Sequence, residues 1–357
     1  MTTQYDVAIA GGGPAGAACA TLCAAAGLRT LVLEKSIFPR DKVCGDCLNP
    51  GCWPIFEQLG VAGRVLAAPH ASLGQVEFLC GRALRLSAPL DGNEIAIPRR
   101  ILDDILLRRS QEAGAEVRQG APLQAISRNA VGDWRLEAGN RSFTARLLVA
   151  ADGRNSTVAR LLGAAPPACR DRIALQTHIP AHVPAGEARS IEMHLLPEGY
   201  CGVAPVGDSL INICLVASSD RLDGLKAAIS SRFSILDSQP WRAIAPLRRA
   251  PIGPYRDGVL YVGDAARVVE PFTGEGIYYA LRSGVLAARQ ILAGALREYP
   301  AAHAALYRRR LWVNGLARFA VTHPRAGAGL LRLMSAHRAP LEYLVRRVTA
   351  PLPALGV

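Results

Sequence analysis

The sequence predicts an α/β fold, α+β overall, in which a parallel sheet is interrupted by an inserted, mostly antiparallel sheet and followed by C-terminal helices. Three observations predict it. Short apolar runs ending at Gly or Asp recur at residues 5–10, 146–151 and 258–263. Stretches 71–97 and 172–250 alternate apolar and polar residues with turn residues between them, as in Ser190-Ile-Glu-Met-His-Leu and Leu210-Ile-Asn-Ile-Cys-Leu. From about residue 287 onward the spacing is helical.

The first run, Tyr5-Asp-Val-Ala-Ile-Ala, suits a buried parallel strand and enters Gly11-Gly-Gly-Pro-Ala-Gly16. Small residues dominate 17–26, Gly27 suits a left-handed helix cap, and residues 30–34 supply a second strand ending at Glu34. This is a βαβ unit. Gly11-x-Gly13-x-x-Gly16 at its turn is the dinucleotide fingerprint of a Rossmann-type domain: Gly11 for the tight turn, Gly13 to admit a pyrophosphate, Gly16 for close helix packing. The phosphates would rest on the helix N-terminus. Glu34 is placed to accept hydrogen bonds from a ribose 2′ and 3′ hydroxyl pair and to repel a 2′-phosphate. NAD and FAD both satisfy this much.

A second segment decides between them. Gly263-Asp-Ala-Ala266 follows the third apolar run and leads into Glu270-Pro-Phe-Thr-Gly-Glu-Gly-Ile-Tyr-Tyr-Ala280, which opens a helix. Asp264 is placed to bond a ribityl hydroxyl. Free N–H groups from Thr273 to Gly276, at the positive end of a helix, suit the N1 and C2-carbonyl edge of a flavin and favour its anionic reduced ring. A turn that merely capped a helix would not need Gly263, Gly274 and Gly276 at this spacing. A nicotinamide enzyme has no use for the segment, so FAD is the predicted cofactor. Residues 101–112, between these features, have the spacing of a helix.

The chain resembles the FAD oxidoreductases of p-hydroxybenzoate-hydroxylase fold, and within them the geranylgeranyl-reductase-like branch. The resemblance covers most of the chain. It rests on Gly11 to Gly16 with Glu34, on Phe38-Pro-Arg-Asp-Lys-Val-Cys-Gly45, on Arg99-x-x-Leu-Asp103, on Ala151-Asp-Gly153, and on Gly263-Asp-Ala-Ala with Thr273-Gly-Glu-Gly-Ile277. It implies that Arg99 lies near the FAD phosphates or ribityl chain, that Asp152 and Gly153 close the sheet near the cofactor, and that Cys44 and Gly45 lie beside the isoalloxazine. The cofactor-binding set is then Gly11, Gly13, Ala15, Gly16, Glu34, Lys35, Cys44, Gly45, Arg99, Asp152, Gly153, Asp264, Gly274, Gly276 and Ile277, with Cys44 the candidate catalytic residue.

Two departures bear on the substrate. The branch shows Cys-Gly-Gly where this chain has Cys44-Gly45-Asp46-Cys47, and Asp46 is expected to change the flavin surroundings. A Tyr-x-Trp-x-Phe-Pro pattern that shapes the prenyl cavity is here Tyr200-Cys-Gly-Val-Ala-Pro205. Gly202 and Ala204 open the pocket or leave it for other groups to fill, with Tyr200 and Pro205 as wall residues. The substrate is expected to be a hydrophobic small molecule. Addition of a hydride and a proton across a C=C bond of an isoprenoid-like chain leads. Oxygen-dependent hydroxylation of an aromatic or polyketide-like ring is the alternative, and an FAD-containing accessory or binding protein a third reading. With a single fingerprint, NAD(P)H is expected to visit as a transient reductant. Residues 1–70, 98–170 and 251–290 form the expected discontinuous FAD domain, 71–97 and 171–250 the substrate domain, and 291–357 a C-terminal helical segment.

Composition narrows the partners. The chain has 357 residues and a formal charge of +12 from 41 Lys and Arg against 29 Asp and Glu, which suits anionic cofactors, acidic membrane surfaces or nucleic acid. No basic run is interleaved with aromatics, so nucleic acid is not expected. The nine Cys, an odd number in apolar patterns, fit a reduced cytoplasmic protein without disulfides. Cys44-x-x-Cys47 with Cys52 has only His70 to complete a zinc set, so no metal is expected, and Cys19, Cys23 and Cys214 read as core. His178, His182 and His194 read as structural residues of the substrate sheet. No run of eighteen apolar residues exists that would span a membrane, and the apolar start at 7–32 lacks the basic flank of a signal peptide. Residues 324–347, with Leu330, Leu331, Leu333, Met334 and clustered Arg, suit core packing first and a peripheral membrane face second. The oligomeric state stays open.

Overall fold

The computed structural model describes residues 4–81, 84–169, 172–180, 189–207, 209–231, 233 and 239–350. The first run forms β1 (Gln4–Ala10), followed by α1 (Pro14–Ala25) and β2 (Thr30–Leu33). Both faces of β1 are covered, which is why its sequence is nearly continuously apolar. Val7 and Ile9 pack with Ala15, Cys19 and Tyr279 in one core, while Ala8 and Ala10 pack with Trp134, Leu136 and Phe143 in another. Gly27 takes φ +85° after α1, the left-handed turn that its lack of a side chain permits.

The chain then enters a second sheet as β3 (Ala71–Cys80) and β4 (Leu84–Ala96), and returns as α2 (Arg99–Glu112) and β5 (Arg141–Ala150). It leaves again for β6 (Ile173–Pro180), β7 (Arg189–Leu196), β8 (Gly199–Val206) and β9 (Leu210–Ala217), and comes back as β10 (Val259–Tyr261). In the first sheet β10, β5, β1 and β2 lie side by side and parallel. Their carboxyl ends therefore share one edge, the edge at which open α/β sheets bind ligands. In the second sheet β6, β9, β8, β7, β3 and β4 follow one another. All its labelled neighbours are antiparallel except β7 and β3, which pair in parallel.

Four longer helices complete the chain: α3 (Gly276–Leu292), α4 (Leu311–Thr322), α5 (Pro324–Ala336) and α6 (Ala339–Thr349). Helix α3 lies on α1, whereas α5 and α6 pack on β4. Among the described residues no helix is long and apolar enough to cross a membrane.

Candidate active site

At the shared edge, β1 runs into the glycine loop. Gly11 has φ +104°, and a Cβ there would lie 2.5 Å from Ala151 O; one on Gly16 would overlap Gly11 O. Gly13 differs, because its added Cβ would meet only Arg40 Nη2 at 3.7 Å, leaving room in front of the loop. Glu34, at the end of β2, is buried and accepts the Gly12 N–H at 2.7 Å and the Ser36 N–H at 2.8 Å. It anchors the loop as well as facing it, a role the sequence did not signal.

The neighbouring strand ends add charge. Asp152, after β5, accepts the Val158 N–H at 2.9 Å, and burial raises its carboxyl. Asp264, after β10, lies 3.3 Å from Arg154 Nη2. Arg154 Nε and Nη1 are buried without a hydrogen-bond partner among the described residues. Arg99, at the start of α2, forks onto Asp103 with two bonds of 2.8 Å, and Arg40 reaches the same carboxylate at 3.1 Å. Lys42 is pulled down to about 8, first by burial and then by the charge of Arg99.

The amino end of α3 closes this site from the other side. A Cβ on Gly284 would overlap Ala15 O, so the backbones of α1 and α3 touch, and Ser283 Oγ accepts the Gly263 N–H at 2.8 Å. The glycine loop and the Gly263–Gly276 segment are thereby brought together. The first N–H groups of a helix have no partner within it, and here they belong to Gly276 and Ile277. Glu275 between the glycines turns inward and meets Arg310 Nη1 at 2.8 Å and Asn314 Nδ2 at 2.7 Å, all three buried.

These parts face a mainly apolar cavity of about 360 Å³. Of the expected cofactor positions, Gly13, Ala15, Cys44, Gly45, Arg99, Gly153, Asp264, Gly274, Gly276 and Ile277 line it, whereas Gly11, Gly16, Glu34 and Asp152 stand behind the lining and Lys35 is exposed. Tyr200, Gly202 and Ala204 are in the wall and Pro205 is not. Met193 Sδ lies 3.5 Å from where a Gly202 Cβ would be, and Phe272 stands edge-on to the Tyr200 ring at 5.2 Å between centroids. The Tyr200 hydroxyl is buried and has no hydrogen-bond partner among the described residues. The space left by the small residues is thus partly refilled by a thioether and a ring from other elements.

Asp46 is not part of the cavity wall. It has φ +60°, the left-handed region that glycine adopts most easily. Its fully buried carboxylate turns to the back of the loop: His178 Nε2 lies 2.7 Å away, Gln176 Nε2 donates at 3.3 Å and the Arg99 N–H at 3.3 Å. Burial raises Asp46, opposed by His178. Since Gln176 and Asn212 also donate to Cys44 O at 2.8 and 2.9 Å, Asp46 helps to clamp the Cys44–Gly45 loop onto the second sheet and does not line the cavity. His178 gains a partner for the same reason, His194 pairs with Glu192 at 2.8 Å, and His182 lies outside the described residues. Cys44 and Cys47 are free, and burial pushes both thiols up, away from the reactive thiolate. Among the described residues no three His, Cys, Asp or Glu side chains converge to hold a metal.

Sequence reasoning missed Lys42, Arg154 and Glu94, all in the cavity wall, and the contacts of Gly284 and Arg310. Lys42 lies inside a quoted motif and Arg154 directly follows one. Gly284 and Arg310 have no local signature, because their partners lie far away in sequence, and Glu94 has none because only its burial sets it apart.

A glycine loop and a helix N-terminus that meet across a cavity roofed by a second sheet define a flavin-dependent oxidoreductase. The chain belongs to the FAD binding domain family, whose pattern matches residues 4–204. It is 31% identical over 333 residues to the menaquinone reductase of Mycolicibacterium smegmatis, covering 85% of this chain and 80% of that one. It is also 31% identical over 311 residues to the digeranylgeranylglycerophospholipid reductase of Methanoculleus marisnigri, covering 81% and 77%. Among solved structures the flavin-dependent brominase Bmp2 superposes with TM-score 0.79 at 19% identity, covering 99% of this chain and 96% of that one. PqsL of P. aeruginosa in complex with 2-aminobenzoylacetate does so with TM-score 0.78 at 20% identity, covering 92% and 100%; at these identities the likeness concerns the fold. The residues fit FAD: space before Gly13, partnerless polar atoms on Arg154, and free N–H groups at Gly276 and Ile277.

Proposed function

We propose that this FAD-dependent oxidoreductase reduces C=C bonds in the prenyl chain of a lipid, with NAD(P)H or another small donor as the transient reductant. The observation that carries the reading is the cavity, which extends from Cys44, Gly45 and Gly276 to an apolar wall built by Leu330, Leu331, Leu344 and Val345 of the C-terminal helices. A long apolar chain fits such a space better than a compact polar ring. The names of the relatives, which specify menaquinone and a digeranylgeranyl lipid, support it. When bound, FAD supplies hydride chemistry.

In this reading residues 1–70, 98–170 and 251–290 serve the cofactor, 71–97 and 171–250 the substrate, and the segment from 291 closes the cavity. Gly11, Gly13, Ala15 and Gly16 hold the pyrophosphate with Arg99, and Glu34 with Lys35 the ribose. Asp264 with Arg154 orients the ribityl chain, Asp152 and Gly153 shape the loop beside it, and the N–H groups at Gly274, Gly276 and Ile277 hold the N1 edge. Cys44 and Gly45 set one face of the reacting site. Tyr200, Gly202 and Ala204 contact the substrate, with Pro205 supporting them from outside the wall. Hydroxylation is the second reading, favoured by the small side chains at Gly202 and Ala204, which leave lateral room for a ring.

A lipid substrate also calls for a membrane surface. Trp312 and Phe319, seven residues apart on one face of α4, are exposed, Trp312 stacks with exposed Tyr343 of α6, and Leu333 of α5 is 74% exposed. From residue 299 to 350 the chain has nine Arg and a single acid, Glu342. We therefore place peripheral contact with anionic lipid here, on a protein otherwise of the cytoplasm. Vesicle co-sedimentation should show binding that rises with anionic lipid and falls with salt. Arg325→Ala and Arg332→Ala should each weaken it by about 1 kcal/mol.

The function is tested by mixing the yellow protein anaerobically with NADH or NADPH and then adding a prenylated quinone. The colour should bleach with one donor and return on adding the prenyl lipid. Failure to bleach with any donor counts against the enzyme reading and for an accessory protein.

A further inference from the structure

Besides Asp264, the cavity wall holds one further carboxyl group among the described residues, Glu94. Glu94 lies in β4 and lines the cavity, whose mainly apolar wall also includes Val76, Leu90, Met193 and Val345. The pairing of β3 and β4 breaks beside it: Pro89 faces Gln75 and Glu94 faces Leu73, so residues 90–93 pass opposite a single residue of β3. Bulges of this kind redirect a side chain out of the regular sheet and are common next to reacting sites. Glu94 is 8% exposed, its Oε2 is buried, and it has no hydrogen bond or ion pair among the described residues.

A buried carboxylate without a donor is so unfavourable that the group keeps its proton. Burial alone raises Glu94 from the ordinary 4.5 to about 8. Its charge acts on the thiols of Cys47, in the short strand Cys47–Leu48, and Cys52, in the following turn; both are pushed up first by burial and then by Glu94. The charged groups on the other packed elements are Glu77 and Arg85 on β3 and β4, Arg325 and Arg332 on α5, and Glu342, Arg346 and Arg347 on α6. The remaining titratable groups are Tyr200 and Cys201 on β8, Cys80 on β3 and Tyr343 on α6. None of these contributes to its shift. The short strand that follows the Cys44–Gly45 loop pairs with β4 beside the acid, Cys47 opposite Ala96 and Leu48 opposite Ile95, so Glu94 stands next to the strand that continues that loop.

We propose that Glu94, as a neutral acid, donates the proton that alkene reduction requires. The inference rests on the reductase reading. One alkene carbon takes a hydride, supplied through the cofactor by the external donor. The π pair forms the second C–H bond with the Glu94 proton, and the carboxylate left behind is reprotonated from water.

Glu94→Gln keeps the shape and cannot release a proton. Anaerobic turnover of a prenylated quinone should fall at least about 100-fold, with bleaching by NAD(P)H unchanged and Glu94→Asp retaining part of the activity. A second readout is independent of turnover. Between about pH 4.5 and 8 the unfolded chain releases this proton and the native protein keeps it, so Glu94 costs native stability increasingly as pH rises through that window. The thermal midpoint of Glu94→Gln relative to wild type should therefore climb across the window and level off above it. The variant should also lack an infrared band of a protonated carboxyl at pH 7. A variant that turns over within threefold of wild type overturns the donor role while the reductase reading stands, as does a flat midpoint difference with no such band. A wild type inert toward every prenylated probe overturns the reductase reading and the donor role together.

Discussion

Replacing Arg310 with methionine is expected to destabilise the protein by about 3–5 kcal/mol, the scale for breaking a buried ion pair from one side. Arg310 is 1% exposed and donates to Glu275 Oε1 at 2.8 Å, to Val348 O at 2.6 Å and to Ala350 O. Methionine fills similar space but leaves a fully buried carboxylate with Asn314 as its remaining partner. Glu275 sits between Gly274 and Gly276, so strain there reaches the N–H groups assigned to the flavin edge. A weaker FAD affinity should accompany the loss of stability. Denaturant unfolding of Arg310→Met, Glu275→Gln and the double variant checks this. The double variant should be more stable than the sum of the single losses predicts, because the orphaned charge is gone. Simple additivity would mean that the pair is not coupled.

Gly284→Val is the second large effect. A Cβ at this position overlaps Ala15 O, and backbone cannot rotate aside as a side chain can. Helix α3 must move from α1, at a cost of about 1–3 kcal/mol or more. That movement separates Gly276 and Ile277 from the glycine loop, so the larger consequence is for the cofactor: FAD affinity should fall at least about 100-fold, more than the stability loss of the apoprotein implies. Titration of apoprotein with FAD, alongside unfolding without FAD, measures both. Unchanged affinity would show that the two segments do not act as one site.

The parallel sheet was legible in the sequence because its signals are local. A strand such as Tyr5-Asp-Val-Ala-Ile-Ala runs directly into the glycines that its ligand needs, and Asp152 and Asp264 follow their strands in the same way. The second sheet was legible as alternation, but alternation carries no strand direction, so the parallel pairing of β7 with β3 could not be read. Asp46 is only half legible for a related reason. Its residue type was visible but its φ of +60° was not, and that backbone conformation turns the carboxylate toward His178 and away from the cavity. Gly284 and Glu94 left no trace, since a lone glycine in a helix and a lone acid in a strand acquire meaning only from what packs against them. The C-terminal helices were expected chiefly as core. Their apolar residues do line the cavity, while Trp312, Phe319, Leu333 and Tyr343 face outward.

The mass of the product formed from a prenylated quinone, with NAD(P)H and without oxygen, tests the central claim most directly. C=C reduction predicts a product that is still heavier by two hydrogens after its ring has been reoxidised to the quinone, formed at a rate that oxygen does not raise. A product that appears only in air and carries an added oxygen atom would contradict it and establish the hydroxylase reading instead.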